Sequence, residues 1–427
     1  MMEKIQIILK ALFVCWLLTS CDDENEAVPN DDNMEDTTNV NLPPNDFNLI
    51  GVTNNALGVN LLPTFSWDAA EDPDGDAVTY SLLLDTLTQP STVIEDGLQD
   101  LTYELSDRLL LQSTYRWKIR ASDDEGNDRD SEVYSFTTRG LNIPDEATDT
   151  QLPARQSHAT TVFKDRLWLV GGFIAGFGNQ NDVWFSEDGV TWEVSLENLE
   201  APFTSRNGHQ LVTFDNKLWL IGGSGFGDWP TDIWSSNDGE TWQLAQKAAP
   251  YGDRIGHMVI VFENRLWLIG GRDQQANRLS DIWVSPNGVD WTQVTASAPF
   301  GKRSYFTSLV FDDKLWLMGG NSDEGTLNDV WFSAEGETWS RATEHADFSA
   351  RSAFDSFVLD GRMWIVAGGE TNEIWSSING INWIKNTSNP NFTPRIVHTA
   401  DVFKDKVFVI GGRDPELITV PGVWVLD

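Results

Sequence analysis

The sequence predicts an all-β chain: a six-bladed β-propeller over the C-terminal two thirds, preceded by a smaller β-sandwich. Three observations carry this. An apolar strand ending in glycine recurs as RLWLVGG at 166, KLWLIGG at 217, RLWLIGG at 265, KLWLMGG at 314, RMWIVAGG at 362 and KVFVIGG at 406. The glycine pairs start at Gly171, Gly222, Gly270, Gly319, Gly368 and Gly411, so the successive differences are 51, 48, 49, 49 and 43 residues, and a period near fifty with short strands is that of propeller blades. The recurring strand is apolar at every position rather than alternating, as expected of a strand covered on both faces by neighbouring blades.

The chain begins with Lys4 and Lys10, then the apolar run ALFVCWLL, too short for a stable membrane span, and reaches Leu18-Thr19-Ser20-Cys21. Residues 1–20 therefore read as a secretory signal. The tetrapeptide resembles a bacterial lipobox, which implies acylation of Cys21 and a durable membrane anchor. Residues 21–46 hold Asp22, Asp23, Glu24, Glu26, Asp31, Asp32, Glu35, Asp36 and Asp46 and no lysine or arginine. Such a segment buries too little apolar surface to fold and is expected to be a solvated tether. Acidic residues directly after the cysteine resemble the surface-export signal of bacterial lipoproteins, which implies an outer-membrane lipoprotein exposed at the cell surface.

The formal net charge is −36. Removing residues 1–20 leaves 29 − 2 basic and 65 − 1 acidic residues, or 27 − 64 = −37. So acidic a surface repels nucleic acid and anionic membranes and excludes both as partners of the folded part. The cysteines are Cys15 and Cys21, which leaves no disulfide, thiol catalysis or cysteine-ligated metal downstream.

Residues 47–139 lack glycine pairs and contain short alternating pieces, TFSWDAAEDPDGDAVTYSLLLD, LTYELS, STYRWKIRASD and SEVYSFTT, spaced like strands of a sandwich. Trp67 in an early strand, Tyr115-Arg116-Trp117-Lys118-Ile119 in a late one and the closing SFTT resemble a fibronectin type III domain, of immunoglobulin-like architecture. The resemblance implies a spacer, with no function following from the fold alone. It also implies that DPDGD (Asp72, Asp74, Asp76) and DDEGND (Asp123, Asp124, Glu125, Asp128) lie in loops at one end of the sandwich. Convergent carboxylates hold calcium, with Asp72, Asp74, Asp76 and Asp124 as the candidate ligands. Two acidic surface turns are the alternative, since the full spacing of a known calcium loop is absent. No other cofactor is expected.

In residues 140–427 an arginine precedes each glycine pair, at Arg155, Arg206, Arg254, Arg303, Arg351 and Arg395. Three residues on stand His158, His209, His257 and His398, replaced by Phe306 and Phe354 in two copies. After each pair come a polar loop, a strand with Trp184, Trp234, Trp283, Trp331 or Trp375, a Gly turn, and a last strand opening at Trp192, Trp242, Trp291, Trp339 or Trp383. This pattern resembles Kelch repeats, which form β-propellers. The sixth copy stops after Val423-Trp424, so residues 141–150 are expected to supply its missing strand and close the ring.

In a four-stranded antiparallel blade the first strand begins, and the second ends, on the same face. The arginines and the loops after the glycines therefore share one face around the channel. These loops vary most, and binding usually resides in variable loops on a repeated scaffold. The six arginines, Arg272 and Trp229 are the candidate ligand contacts, suited to a carboxylate or acidic sugar. Phe173, Phe177 and Phe226 are further candidates for stacking. Against ligand contact stands the reading that the arginines tie blades together through backbone carbonyls, and four periodic histidines read as scaffold.

No catalytic residue stands out, which favours binding over catalysis. Galactose oxidase resembles this architecture but needs a cysteine-crosslinked tyrosine, which a propeller without cysteine lacks. SEDGVTW at 186 and SNDGETW at 236 resemble sialidase Asp-box turns but are one residue short, and a tyrosine–glutamate nucleophile pair is not visible. Sialate mutarotases, six-bladed Kelch proteins, imply the competing class: an enzyme acting on an acidic sugar by mutarotation or hydrolysis, with Glu324 and Glu370 as acid-base candidates. The expectation is a surface-anchored binding lipoprotein whose propeller face recognises a glycan or a cell-surface protein.

Overall fold

The computed structural model describes residues 41–143, 151–227, 229–386 and 392–427. The secretory signal, Cys21 and the tether up to residue 40 lie outside the described residues, as do residues 144–150 of the expected closing strand. The described residues form strands and turns, with no helix among them.

Five sheets of four strands and one of three follow one another along the chain from Ala159. In each, the strands pair in chain order, and the first strands, Ala159–Phe163, Gln210–Phe214, Met258–Phe262, Thr307–Phe311, Asp355–Leu359 and Thr399–Phe403, neighbour one another in a closed ring. This is a six-bladed β-propeller. The second strands, such as Arg166–Ile174, are buried along Leu167, Trp168, Leu169 and Val170, because blades cover both faces.

The glycine pair marks where one blade meets the next. A Cβ on Gly172 would come within 2.8 Å of the Gln156 carbonyl oxygen, and Gly171 and Gly172 have φ of +56° and +96°. In blade 5 the structural pair is Ala367-Gly368, not Gly368-Gly369. Ala367 takes φ +54° and its carbonyl accepts from Arg351, as the Gly171 carbonyl does from Arg155. Gly369 thus stands one place beyond the pair.

The last blade pairs Thr399–Phe403, Lys406–Ile410 and Val423–Leu426. Beside it, Asn142 donates its N–H to the Asp427 carbonyl (2.8 Å) and accepts from the Asp427 N–H (3.2 Å). Leu141 and Ile143 are buried in one cluster with Trp424, Leu426 and Trp364. The chain entering the propeller therefore lies in the fourth position of the last blade, although residues 141–143 are too short to count as a strand.

The N-terminal unit consists of two sheets around a common core. One orders Ala56–Val59, Tyr134–Thr138, Thr114–Ser122, Thr79–Asp85 and Val93–Leu98, with Asp128–Asp130 also on Thr114–Ser122; the other pairs Thr64–Ser66 with Thr102–Glu104. Phe65, Trp67, Tyr80, Leu82, Trp117 and Phe136 fill the space between them. This unit is seated on the blade-5 turn that joins the first two strands, on the face opposite the repeat arginines. Arg108 makes two hydrogen bonds to Asp360 (3.0 and 2.7 Å), Arg362 donates to the carbonyls of Leu111 and Gln112, and Leu61 and Leu111 enter the core of blades 5 and 6.

Candidate functional site

Each repeat arginine is at most 1 % exposed. Arg155 pairs with both oxygens of Asp182 (2.9 Å each) and donates to the Gly171 carbonyl. Arg254 does the same with Asp281, and Arg303 with Asp329. Arg206 pairs with Asp232 and Arg351 with Glu373 (2.9 Å each). In blade 6 Gly422 stands at the carboxylate position and Arg395 donates to Gly411 and Thr393. The same carboxylates accept the indole N–H two residues on, as in Trp184 to Asp182 (2.7 Å) and Trp331 to Asp329 (2.7 Å). Desolvation pushes Glu373 up, but hydrogen bonds from Lys385, Trp375 and Arg351 outweigh it and bring it down to about 2. The Asp-x-Trp motif and the repeat arginine thus form one buried unit inside each blade. This corrects the expectation that Arg155, Arg206, Arg254, Arg303, Arg351 and Arg395 contact ligand, because each is at most 1 % exposed and its guanidinium is bonded within its own blade.

The periodic histidines are wedges. His209 lies against Gly171, His257 against Gly222 and His158 against Gly411, each in the following blade, and Phe306 and Phe354 occupy the same place against Gly270 and Gly319. Burial first, and then Arg206 and Arg395, hold His209 and His398 down at about 3. They stay neutral, which is why phenylalanine replaces histidine without loss of the packing.

What lies open on this face is a pocket of about 360 Å³ over the channel. Around the channel runs a ring of the residues two places after each repeat arginine, Ser157, Gly208, Gly256, Tyr305, Ala353 and Val397, all with φ between +52° and +66°; Ser157, Tyr305, Ala353 and Val397 of this ring floor the pocket. Backbone N–H groups link the ring head to tail, Ser157 to Val397 (2.9 Å), Val397 to Ala353 (2.9 Å), Ala353 to Tyr305 (2.8 Å), Tyr305 to Gly256 (2.7 Å) and Gly208 to Ser157 (2.8 Å). The φ values demand a residue that tolerates the left-handed region, and glycine at 256 also makes room for the Tyr305 ring, 3.1 Å from where a Cβ would be.

The wall is built where the residue after each arginine bridges to the residue after the glycine pair: Gln156 with Phe173, Asn207 with Ser224, Ile255 with Arg272, Ser304 with Asn321 and Ile396 with Arg413. Arg272 and Arg413 stand at equivalent positions in blades 3 and 6, and so on opposite sides of a six-membered ring. Neither guanidinium has an ion pair or hydrogen bond among the described residues, and the Nε of each is buried without a partner. The Arg272 guanidinium lies 6.0 Å from the Trp229 ring and 5.9 Å from the Tyr305 ring, which fixes its direction without consuming its donors.

Of the predicted contacts, Phe173 lines the pocket, while Arg272 and Trp229 meet each other beside it, the Arg272 guanidinium lying against the ring of the lining residue Tyr305. Phe177 and Phe226 stand 83 % and 103 % exposed, away from the pocket. Glu324 and Glu370 are exposed and outside the lining. Sequence reasoning missed Arg413, Tyr305, Gln156 and Asn207. Arg413 was findable, since it follows its glycine pair as Arg272 does; Tyr305 shows as the one large aromatic in a position otherwise Ser, Gly, Ala or Val.

In the N-terminal unit the two acidic loops do meet, and Asn41 and Leu42 reach across to Asp123 and Asp74. Asp76 is held above the usual carboxylate range, by desolvation first and then by Asp124, Asp72, Glu125 and Asp123. Yet Asp72 accepts the N–H groups of Asp74, Gly75 and Asp76, and Asp123 those of Glu125 and Asn127. Among the described residues no group of three or more His, Cys, Asp or Glu is arranged to hold a metal. The expected calcium ligands Asp72, Asp74, Asp76 and Asp124 are not among such a group; the turn uses one oxygen of Asp72, and the other is buried without a partner.

Fold and site together define a six-bladed β-propeller with a pocket on one face that Arg413 lines. Residues 236–412 match the family model described as the KLHDC2/KLHL20/DRC7 Kelch-repeats domain. Among solved structures, that of YjhT superposes with a TM-score of 0.55 at 13 % identity, covering 65 % of this chain and 96 % of that one; at this identity the likeness establishes the fold alone. No curated protein matches the sequence. The fold is shared with 277 chains of solved structures, so function has to be argued from the pocket.

Proposed function

We propose that the protein is a surface-anchored lipoprotein that binds a carboxylate-bearing ligand, an acidic glycan, in the propeller pocket. The observation that carries this, in a chain of net charge −36, is the pair Arg272 and Arg413, two guanidiniums without ion pairs at equivalent positions across the ring: Arg413 lines the cavity and Arg272 lies against the ring of Tyr305, which lines it too. An arginine fork matches a carboxylate in two parallel hydrogen bonds, and Gln156, Ser157, Asn207, Asn321 and Ser352 offer neutral partners for hydroxyls. The lining contains no carboxylate or imidazole, which favours binding over the alternative, an enzyme acting on an acidic sugar by mutarotation or hydrolysis. We assign Cys21 as the lipid attachment, residues 22–46 as the tether and the N-terminal unit as a fibronectin type III-like spacer. Its seat opposite the pocket supports an outward-facing site for a glycan or cell-surface protein.

The reading is tested on an array of acidic and neutral glycans, with the Arg272→Ala/Arg413→Ala variant as control. Retention of acidic glycans that the variant loses, at unchanged thermal stability, is the expected result. Equal retention by both proteins overturns it.

A further inference from the structure

The wall of the pocket is not even around the ring. The residue pairs that close the second and third strands enclose residues 171–182 in blade 1, 222–232 in blade 2, 270–281 in blade 3, 319–329 in blade 4 and 411–422 in blade 6. In blade 5 Val366 pairs with Ile374 and encloses only 367–373. The tall loops brace one another. Asn179 donates to the Ser224 carbonyl (3.2 Å), Gln274 to that of Gly227 (2.7 Å), and Arg278 pairs with Asp323 (2.8 Å).

A second feature falls in the same place. Where the other blades raise Phe173, Ser224, Arg272, Asn321 or Arg413 as the wall side chain, blade 5 has Gly369, whose N–H bonds to the Ser352 carbonyl (3.1 Å). A Cβ on Gly369 would meet nothing within 4 Å, unlike one on the paired glycines. The short loop and the missing side chain together cut a notch in the wall above Ser352 and Ala353, both of which line the pocket.

A pocket with a floor, five raised sides and one low side has room for a chain to leave in one direction. A unit inside a chain needs two exits; a terminal unit needs one. Resting on the reading of the pocket as an acidic-glycan site, we infer that it takes the terminal acidic sugar of a chain, and that the rest of the chain leaves over blade 5 through the notch at Gly369. The site is thereby selective for chain ends, and the length and branching of the remainder are unrestricted.

The test titrates the full chain with three kinds of probe: free glucuronic, galacturonic and N-acetylneuraminic acids, trisaccharides carrying the same acid at the non-reducing end, and oligosaccharides carrying it only internally. Terminal trisaccharides are expected to bind within about threefold of the free acid, and internal ones at least about tenfold more weakly. A variant with five residues of Gly and Ser inserted between Glu370 and Thr371 raises the blade-5 loop from 7 residues (367–373) to the 12 of blade 6 (411–422). It should weaken the trisaccharide by about tenfold and leave the free acid unchanged. Internal units binding as tightly as terminal ones, or a folded insertion variant that keeps the trisaccharide, overturn the inference and leave the acidic-ligand reading standing. If no free acid binds the native protein, that reading falls and the inference with it. Should the insertion unfold the blade, the comparison of terminal with internal probes on the native protein decides alone.

Discussion

Arg254 and Arg272 belong to the same blade and do opposite work. Arg254 is 1 % exposed and bound to Asp281; removing it leaves a buried carboxylate without its counter-charge. Arg254→Ala is expected to cost about 3–5 kcal/mol, whereas Arg272→Ala, which loses only ring stacking, should cost under about 1 kcal/mol. Urea unfolding of both variants checks the ordering, and equal losses would place Arg272 in the scaffold too. Another residue-scale expectation concerns Asp355 and Asp401, on the first strands of blades 5 and 6. Asp355 accepts the Ala400 N–H (2.8 Å) and Asp401 the Thr160 hydroxyl, so each joins its blade to the next. Burial, aided by Asp401, raises Asp355 to about 7, and burial raises Asp401 to about 6. The folded state then holds protons that an unfolded carboxyl, near 3.8, has released. Their stabilisation is complete below about pH 4 and is lost as the pH rises through about 6 to 7. Asp355→Asn should remove part of that slope, measured as unfolding free energy against pH; a variant with the wild-type slope contradicts the assignment.

At the scale of the element, the blade seams explain the repeat. Because His257 and Phe306 fill the same wedge, His257→Phe should keep the fold. Burial and Arg254 hold the His257 imidazole well below its ordinary range, so the wild type loses stability as the pH falls below about 6.5, and the variant should lose less. Melting curves at pH 5 and pH 8 test this, and a larger acid sensitivity in the variant would count against it. The joint between units is a second seam: Leu111 is fully buried in the core of blades 5 and 6. Leu111→Ala, a change in the N-terminal unit, should destabilise the propeller by about 2–5 kcal/mol; a propeller melting transition that does not move would contradict this. The strands, blade number and strand order were legible in the sequence because the glycine pair and the Asp-x-Trp motif mark fixed positions in every repeat. The role of the arginines was not. A period shows that Arg155 and its equivalents recur, while only the spatial return of Asp182, 27 residues later, shows that they are bonded within the blade. Likewise Ala367 hid the true register of blade 5, and with it the wall position of Gly369.

On the scale of the whole molecule, the acidic surface and the free arginines have to be taken together. A net charge of −36 disfavours approach of any anion, so a carboxylate bound at Arg272 and Arg413 must gain its affinity at short range, and added salt should weaken binding only modestly. The N-terminal unit sits at blades 5 and 6 on the opposite face, leaving the pocket face clear. The most direct test of the central claim is calorimetric titration of the full chain with a free acidic sugar and with its carboxamide, in the wild type and in Arg272→Ala/Arg413→Ala. Saturable binding of the acid, absent for the carboxamide and for the double variant, is the predicted result. Equal binding of acid and carboxamide, or an unaltered affinity in the double variant, would contradict a pocket built around these two arginines.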